Sequence, residues 1–147
     1  MTFNLHTIFD DCNPDAQLIV ADADNQALNG AGVDMTGYEG VVFFAYAKKG
    51  EAKTYKLKLQ QDSAANYGSA ADLAGTEISF ATTVGADGFA FSDLQHPTKQ
   101  YVRPVLTVPD VITPNSVAII ALRYGKVLTP VTNADGEYHN APAEGEA

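Results

Sequence analysis

The clearest pattern in the chain is a strict alternation of apolar and polar residues over Lys53–Gln61. Side chains on a β-strand point to opposite faces in turn, so this segment predicts a strand with one buried face and one solvated face. Lysines on a solvated face also discourage pairing between the strands of different molecules. The predicted buried face consists of Tyr55, Leu57 and Leu59, and the predicted solvated face consists of Lys56, Lys58 and Gln60.

Two other segments, Val41–Ala47 and Val117–Leu122, are apolar at nearly every position. In the first of them, Phe43 and Phe44 would point to opposite faces of the same strand. A strand that is apolar on both sides is typical of a central position in a sheet that is covered on both faces. The sequence therefore predicts two central strands that are buried on both sides.

The remaining apolar runs are short and are separated by glycine, proline, asparagine and aspartate, which favour turns. Pro104 lies within one of these runs and cannot donate a ladder hydrogen bond, so that strand is predicted at a sheet edge or with a bulge. Ser69–Leu73 is predicted to form one helical turn with Ser69 as its N-cap. Further strands are predicted at Gln17–Ala21, Val33–Met35, Glu77–Thr83, Gly88–Leu94, Gln100–Val108 and Ser116–Tyr124.

Seven or eight strands without a long helix indicate a single all-β domain, either an antiparallel β-sandwich or a barrel. We divide the chain into an N-terminal arm (1–15), a β-sandwich domain (16–131) and an acidic, polar C-terminal tail (132–147). Apolar side chains on an arm are costly to leave in water, so they are expected to contact a neighbouring subunit or another protein. The candidate partner-binding residues are Phe3, Leu5, Ile8 and Phe9 in the arm and Tyr138 in the tail.

The composition of the chain argues against several classes of function. The 147 residues carry a formal net charge of −9 with only nine lysines and arginines, which argues against direct nucleic-acid binding and suits docking on a basic protein surface. The lysine cluster of Lys48–Lys58 is interpreted as a solvated strand face.

Cys12 is the only cysteine, so no intramolecular disulfide can form. Neither a secretory signal nor an apolar run long enough for a bilayer is evident, which predicts a soluble protein made in the cytoplasm, with no membrane partner.

Metal and cofactor sites are not indicated. The three histidines lack the spacing of zinc ligands. The segment Asp22–Asn25 resembles the opening of an EF-hand loop, but Ala27 stands where that loop needs glycine and Val33 where it needs glutamate. A calcium site built from loop carboxylates of other segments stays open, and no metal ligand is assigned.

Catalytic motifs are absent as well. The sequence contains no Gly-x-Ser-x-Gly elbow, no phosphate-binding glycine loop and no cation near Cys12 that would activate its thiol. No catalytic residue and no cofactor is assigned, and the chain is predicted not to be an enzyme. Seven tyrosines could line a sugar-binding platform, although core or interface packing is the commoner role of tyrosine in strands.

An ordered set of segments between Val33 and Thr132 resembles the capsid cement (decoration) proteins of tailed bacteriophages, especially the Bordetella-phage cement protein type. The likeness covers about two-thirds of the chain and leaves out the arm and most of the tail. The segments are Gly32-Val-Asp-Met-Thr-Gly-Tyr-Glu-Gly-Val-Val-Phe, Lys56-Leu-Lys-Leu-Gln-Gln-Asp-Ser, Ala71-Asp-Leu-Ala-Gly-Thr, Tyr101-Val-Arg-Pro-Val-Leu-Thr-Val, Val117-Ala-Ile-Ile-Ala-Leu-Arg-Tyr-Gly and Pro130-Val-Thr.

The resemblance implies a jelly-roll-like sandwich present in many copies on the outer surface of a virion. There it would bind the phage major capsid protein and stabilise the head. It also implies association of the protein with itself, and a homodimer is favoured over a homotrimer. A different class of function stays open, namely a carbohydrate-binding or head-fibre or tail accessory β-domain that attaches the particle to a host.

Overall fold

The computed structural model describes residues 13–20, 27–109 and 116–125. These residues form ten β-strands, and every pairing between them is antiparallel. The strands are β1 (Asn13–Val20), β2 (Ala27–Asn29), β3 (Val33–Asp34), β4 (Gly40–Ala47), β5 (Lys53–Asp62), β6 (Ala71–Asp72), β7 (Ile78–Thr82), β8 (Gly88–Gln95), β9 (Tyr101–Thr107) and β10 (Val117–Tyr124). The all-β prediction is confirmed.

The strands form two sheets. Sheet I has four strands in the order β1-β10-β4-β8. Sheet II has six strands: β2, β9, β5 and β6 follow one another, β3 pairs with β9, and β7 pairs with β5. The chain passes repeatedly from one sheet to the other, and the two sheets form a two-layer antiparallel sandwich.

The core lies between the inner faces of the two sheets. Phe43 and Ile119 from sheet I are completely buried, as are Leu57 and Leu59 from sheet II. Tyr55 packs its ring on Phe80 with 5.3 Å between centroids. The predicted burial of Tyr55, Leu57 and Leu59 on β5 is confirmed, since all three are at most 1% exposed. The alternation of apolar and polar residues was enough to predict which residues of β5 are buried, because this strand is covered on one side only.

The prediction that β4 and β10 are buried on both faces is wrong. Phe43 and Ile119 point inwards and are buried, but Phe44 on the opposite face is only half-buried and Ile120 is 50% exposed. A two-layer sandwich covers each sheet once, and no third layer lies over sheet I in the described part of the chain. The outward apolar residues of both strands therefore meet solvent.

Pro104 lies in an interior strand, so the edge position is wrong; the alternative prediction, a local irregularity, agrees with the break between the β2 and β3 pairings opposite Pro104. β9 pairs with β5 on one side and with β2 and β3 on the other. The Pro104 carbonyl accepts a hydrogen bond from the Gly30 N–H at 2.9 Å, in the gap between β2 and β3. Since the nitrogen and carbonyl of one strand residue point the same way, the missing N–H faces that gap and interrupts no ladder.

The predicted helical turn at Ser69–Leu73 is also wrong. Ala71 and Asp72 form the short strand β6 beside the end of β5. The Asp72 carboxylate accepts hydrogen bonds from Lys58 Nζ and Gln60 Nε2, both at 2.7 Å. These hydrogen bonds to side chains of β5 outweigh the local preference for a helix, because a single helical turn is not stable alone.

The boundary of the predicted N-terminal arm overlaps a strand, because Asn13–Asp15 belong to β1 and pair with β10. Residues 1–12 and 132–147 lie outside the described residues. Within the described ranges there is no helix with the length and hydropathy needed to cross a membrane.

Asp62 gives the fold a measurable sensitivity to acid. Its carboxylate accepts hydrogen bonds from the Ser69 N–H at 2.8 Å and the Ala64 N–H at 3.2 Å, which orders the loop after β5. Burial by itself would raise the pKa of this carboxyl, but those hydrogen bonds and the charge of Lys99 hold the pKa below its ordinary value. A depressed folded-state pKa contributes stability above the unfolded value of about 3.9, and that stability is lost as pH falls through the folded value.

We therefore expect the free energy of unfolding to fall as the pH drops below about 4, and to fall less steeply in Asp62→Asn. Urea titrations at stepped pH values measure both slopes. Identical slopes in the two proteins would show that Asp62 does not contribute to the acid response.

Candidate functional site

The outward side of sheet I carries a cluster of apolar side chains, here called the aromatic face: Phe44 and Tyr46 on β4, Phe89 and Phe91 on β8, and Ile120 on β10. The strand register brings them together. Phe44 lies opposite both Phe91 and Ile120, and Tyr46 lies opposite Phe89. Directly opposed residues of antiparallel strands point to the same face, so the five side chains form one continuous surface.

The rings of the aromatic face contact one another but remain open to solvent. The Phe44 ring lies 6.1 Å from the Phe89 ring and 6.4 Å from the Phe91 ring, between centroids. Phe89 is 59% exposed, Phe91 58%, Ile120 50% and Tyr46 39%. At about 200 Å² for a full aromatic side chain, these fractions correspond to roughly 400 Å² of apolar surface. A patch of that size on a monomer commonly marks a binding surface.

Acidic groups lie beside the aromatic face at both ends of β8. Asp93 accepts a hydrogen bond from the Tyr124 hydroxyl at 2.6 Å. Asp87 accepts one from the Lys49 N–H at 2.7 Å. Partial desolvation and a hydrogen bond with Asp87 raise the pKa of Tyr46 above its ordinary value. The site is an uncharged apolar centre with carboxylates at its margin.

The outer face of sheet II is different in kind. Lys56 Nζ pairs with Glu77 at 2.9 Å, and Lys58 Nζ pairs with Asp72 at 2.7 Å. The interpretation of these lysines as a solvated strand face therefore agrees with the structure. Exposed ion pairs of this sort contribute little to affinity or stability. Among the residues that the structure describes, the outer face of sheet I presents a large apolar surface and the outer face of sheet II does not.

The sequence did not identify the aromatic face as a site. The predicted contact residues Phe3, Leu5, Ile8, Phe9 and Tyr138 all lie outside the described residues. A signal for the face was present, since Phe89 and Phe91 alternate with smaller residues on β8 and β4 is apolar on both sides. The alternation of side chains along β4 does not by itself indicate which of its two apolar sides is exposed to solvent.

The tyrosines do not gather into a single platform in the described part of the chain. Tyr55 is buried in the core, and Tyr46 belongs to the aromatic face. Tyr67 contacts Tyr101 edge-on at 6.5 Å, and the Arg103 guanidinium lies 4.6 Å from the centre of the Tyr67 ring. Tyr38 is covered by Arg123 at 4.7 Å. These contacts brace loops and strands.

Among the described residues there is no group of three or more histidine, cysteine or carboxylate side chains placed to hold a metal ion. The EF-hand-like segment at Asp22–Asn25 lies outside the described residues.

Comparison with known proteins identifies a fold and no family. No family model matches the chain, and no curated protein matches it. The chain is similar in fold to the PBSX exported protein XepA. The TM-score is 0.56 with 17% sequence identity, over 89% of this chain and 43% of XepA. The chain thus corresponds to less than half of the length of that structure, and at this identity the likeness establishes the shared architecture alone.

Proposed function

We propose that the protein is a structural component of a phage particle, a capsid cement protein that binds the outer surface of the major capsid protein shell. The aromatic face is the observation that carries the proposal. The fold likeness to XepA supports it, as does the resemblance of the segment order to that of phage cement proteins. On this proposal the chain is not an enzyme, uses no cofactor and resides on the virion.

The chemistry of the aromatic face defines the partner surface. Phe89, Phe91 and Ile120 favour an apolar depression, because exposed aromatic anchors gain most when they are fully desolvated. Asp93 at its margin favours lysine or arginine around that depression, whereas Asp87 already lies near Lys48 and Lys49 of this chain. A net charge of −9 adds long-range attraction to a basic shell surface.

Binding of this type stabilises the assembled shell by mass action, because the protein binds the assembled lattice and not the dispersed subunits. Many copies, each of modest affinity, act together when they join neighbouring subunits. Association of the protein with itself, as a homodimer, would increase this effect. The predicted contacts of Phe3, Leu5, Ile8, Phe9 and Tyr138 would add to it.

The aromatic face is tested with the double variant Phe89→Ser/Phe91→Ser in co-sedimentation with empty shells of the major capsid protein. Loss of two aromatic anchors at about 2 kcal/mol or more each corresponds to a loss of affinity of several hundredfold. The melting temperature should be nearly unchanged, since both side chains already meet solvent in the free protein.

Val84→Ser is the matched control, because Val84 is 78% exposed in the turn between β7 and β8 and lies outside the aromatic face. It should bind shells as the wild type does. Unchanged binding by the double variant would rule out the aromatic face as the docking surface. The cement role itself fails if purified particles of the source phage lack this chain or contain only a few copies of it.

A further inference from the structure

One edge of sheet I is formed by β8, which pairs with β4 and with no other strand among the described residues. The free edge of a strand carries N–H and C=O groups that can pair with a strand of another chain. Proteins commonly prevent such pairing with lysine, proline or a bulge on the edge strand. The eight residues of β8 include neither lysine nor proline, and they pair with β4 without a register shift.

The other sheet edges in the described part of the chain are protected or short. The far edge of sheet I is β1, which contains Pro14 and a bulge between Ala16 and Leu18. The Gln17 carbonyl at this bulge accepts a hydrogen bond from the Ala31 N–H at 3.1 Å. The edges of sheet II are the strands β2, β3, β6 and β7, which have two to five residues each. Of the described edges, β8 is therefore the one best suited to pairing with another chain.

A hydrogen bond at the end of β8 shows which of its backbone groups face the free edge. The His96 N–H donates to the Glu39 carbonyl at 2.7 Å, in register with the pairing of β8 and β4. Residues of an antiparallel pair bond to the partner strand at every second position. Counting back from His96, the backbone groups of Phe89, Phe91 and Asp93 therefore point away from β4, towards the free edge.

We infer that two copies of the protein pair through β8, antiparallel to each other and related by a two-fold axis at Phe91. In this arrangement Phe91 lies opposite Phe91 of the second copy, and Phe89 lies opposite Asp93. Each of the three residues exchanges both of its backbone hydrogen bonds with the residue opposite to it. A second copy fits this edge because the strand is complementary to itself, as a two-fold interface requires. The directly opposed phenylalanines add a favourable aromatic pair.

The charge on β8 agrees with this register. Asp93 is the only charged residue of the strand. With the axis at Phe91, the two Asp93 carboxylates are separated by four residues along the paired strands, or about 13 Å. An axis at Ser92 would instead place them on a diagonal at about 7–8 Å, where like charges repel more strongly. Because each copy carries a net charge of −9, added salt should strengthen the pairing by screening this repulsion.

Pairing through β8 would also place the two aromatic faces side by side. One face offers roughly 400 Å² of apolar surface, about half of the 800 Å² that each partner contributes to an interface of standard size. Two adjacent faces reach that size. This consequence rests on the proposed docking role of the aromatic face, whereas the pairing of the two strands does not.

Disulfide trapping tests the register of the dimer. Phe91→Cys is made in the full chain together with Cys12→Ser, so that the introduced thiol is the only one. The two opposed residues are expected about 5.5 Å apart between Cα atoms, a distance that a disulfide can span. Mild oxidation should therefore link most of this variant into a covalent dimer, which a non-reducing gel detects.

Phe89→Cys in the same background is the matched control for trapping. Phe89 is exposed to the same degree as Phe91, at 59% against 58%. In the inferred dimer, however, it lies about 15 Å from its counterpart, too far for a disulfide. It should cross-link far more slowly than Phe91→Cys. Equally fast cross-linking of the two variants would overturn the inferred register.

Sedimentation velocity of the full chain over a range of concentrations tests the pairing itself. Phe91→Pro removes the N–H that faces the free edge and leaves the bonds to β4 in place, so it should weaken dimerisation at least about tenfold. Phe91→Ala is the matched control, because it removes the same ring but keeps the N–H, and it should weaken dimerisation less. Far-UV circular dichroism compares the fold of the two variants.

A wild-type protein that stays monomeric up to millimolar concentration would overturn the inference. So would equal dimerisation of folded Phe91→Pro and Phe91→Ala proteins. If Phe91→Pro does not fold, the trapping experiment still decides. All of these measurements are made without capsid shells, so the pairing through β8 and the cement role can fail separately.

Discussion

Phe43→Asp is expected to leave the protein unfolded or insoluble. Phe43 is completely buried in the middle of β4, between β10 and β8, among apolar core residues. A carboxylate placed there would be both desolvated and unpaired, at a cost above about 4–5 kcal/mol. That cost approaches the whole stability of a domain of this size, about 5–15 kcal/mol. Ile119→Asp on β10 should behave in the same way.

The measurement is the soluble yield together with far-UV circular dichroism and thermal melting. Phe91→Asp is the control: it makes the same chemical change in the same sheet at a side chain that is 58% exposed, and it should change stability by no more than about 1 kcal/mol. Phe43→Ala gives a measurable intermediate case, with an expected loss of about 3–5 kcal/mol. A soluble Phe43→Asp protein that melts like the wild type would contradict the placement of this face of β4 in the core.

Gly32→Ala is expected to cost about 2–4 kcal/mol, far more than an ordinary surface substitution. Gly32 has a φ of +86°, which a side chain disfavours, and an added Cβ would overlap the hydroxyl and ring of Tyr67. Tyr67 cannot easily move away, because its ring contacts Arg103 and Tyr101 and its own φ is 52°.

Gly37→Ala separates backbone strain from steric overlap. Gly37 has nearly the same φ, +81°, but nothing lies within 4 Å of an added Cβ, so its replacement should cost only about 1–2 kcal/mol. In a Tyr67→Ala background, Gly32→Ala should fall to the same cost, because the overlapping ring is gone. Denaturant unfolding of the four variants gives these differences. Equal costs for Gly32→Ala and Gly37→Ala in the wild-type background would show that Tyr67 does not constrain Gly32.

The sequence by itself determined where most of the strands lie and what class of fold they form. The alternation over Lys53–Gln61 assigned Tyr55, Leu57 and Leu59 to the core correctly, because the other face of that strand is polar and only the apolar face is suited to burial. The turn residues between the runs placed β4, β7, β8, β9 and β10 within two residues of their observed bounds. The spacing of apolar residues and the residue types that favour turns are local properties of the chain, so both can be identified in a single sequence.

Only the tertiary structure decided which apolar residues form the candidate site. Phe43 and Phe44 are equivalent in the sequence pattern, but the position of sheet II buries the first and leaves the second beside exposed Phe89 and Phe91. Pro104 is tolerated in an interior strand because it faces the gap between β2 and β3, which are separate strands on the same side of β9. Such features depend on long-range pairing, and the alternation of side chains along one strand does not specify which strand or layer will lie against it.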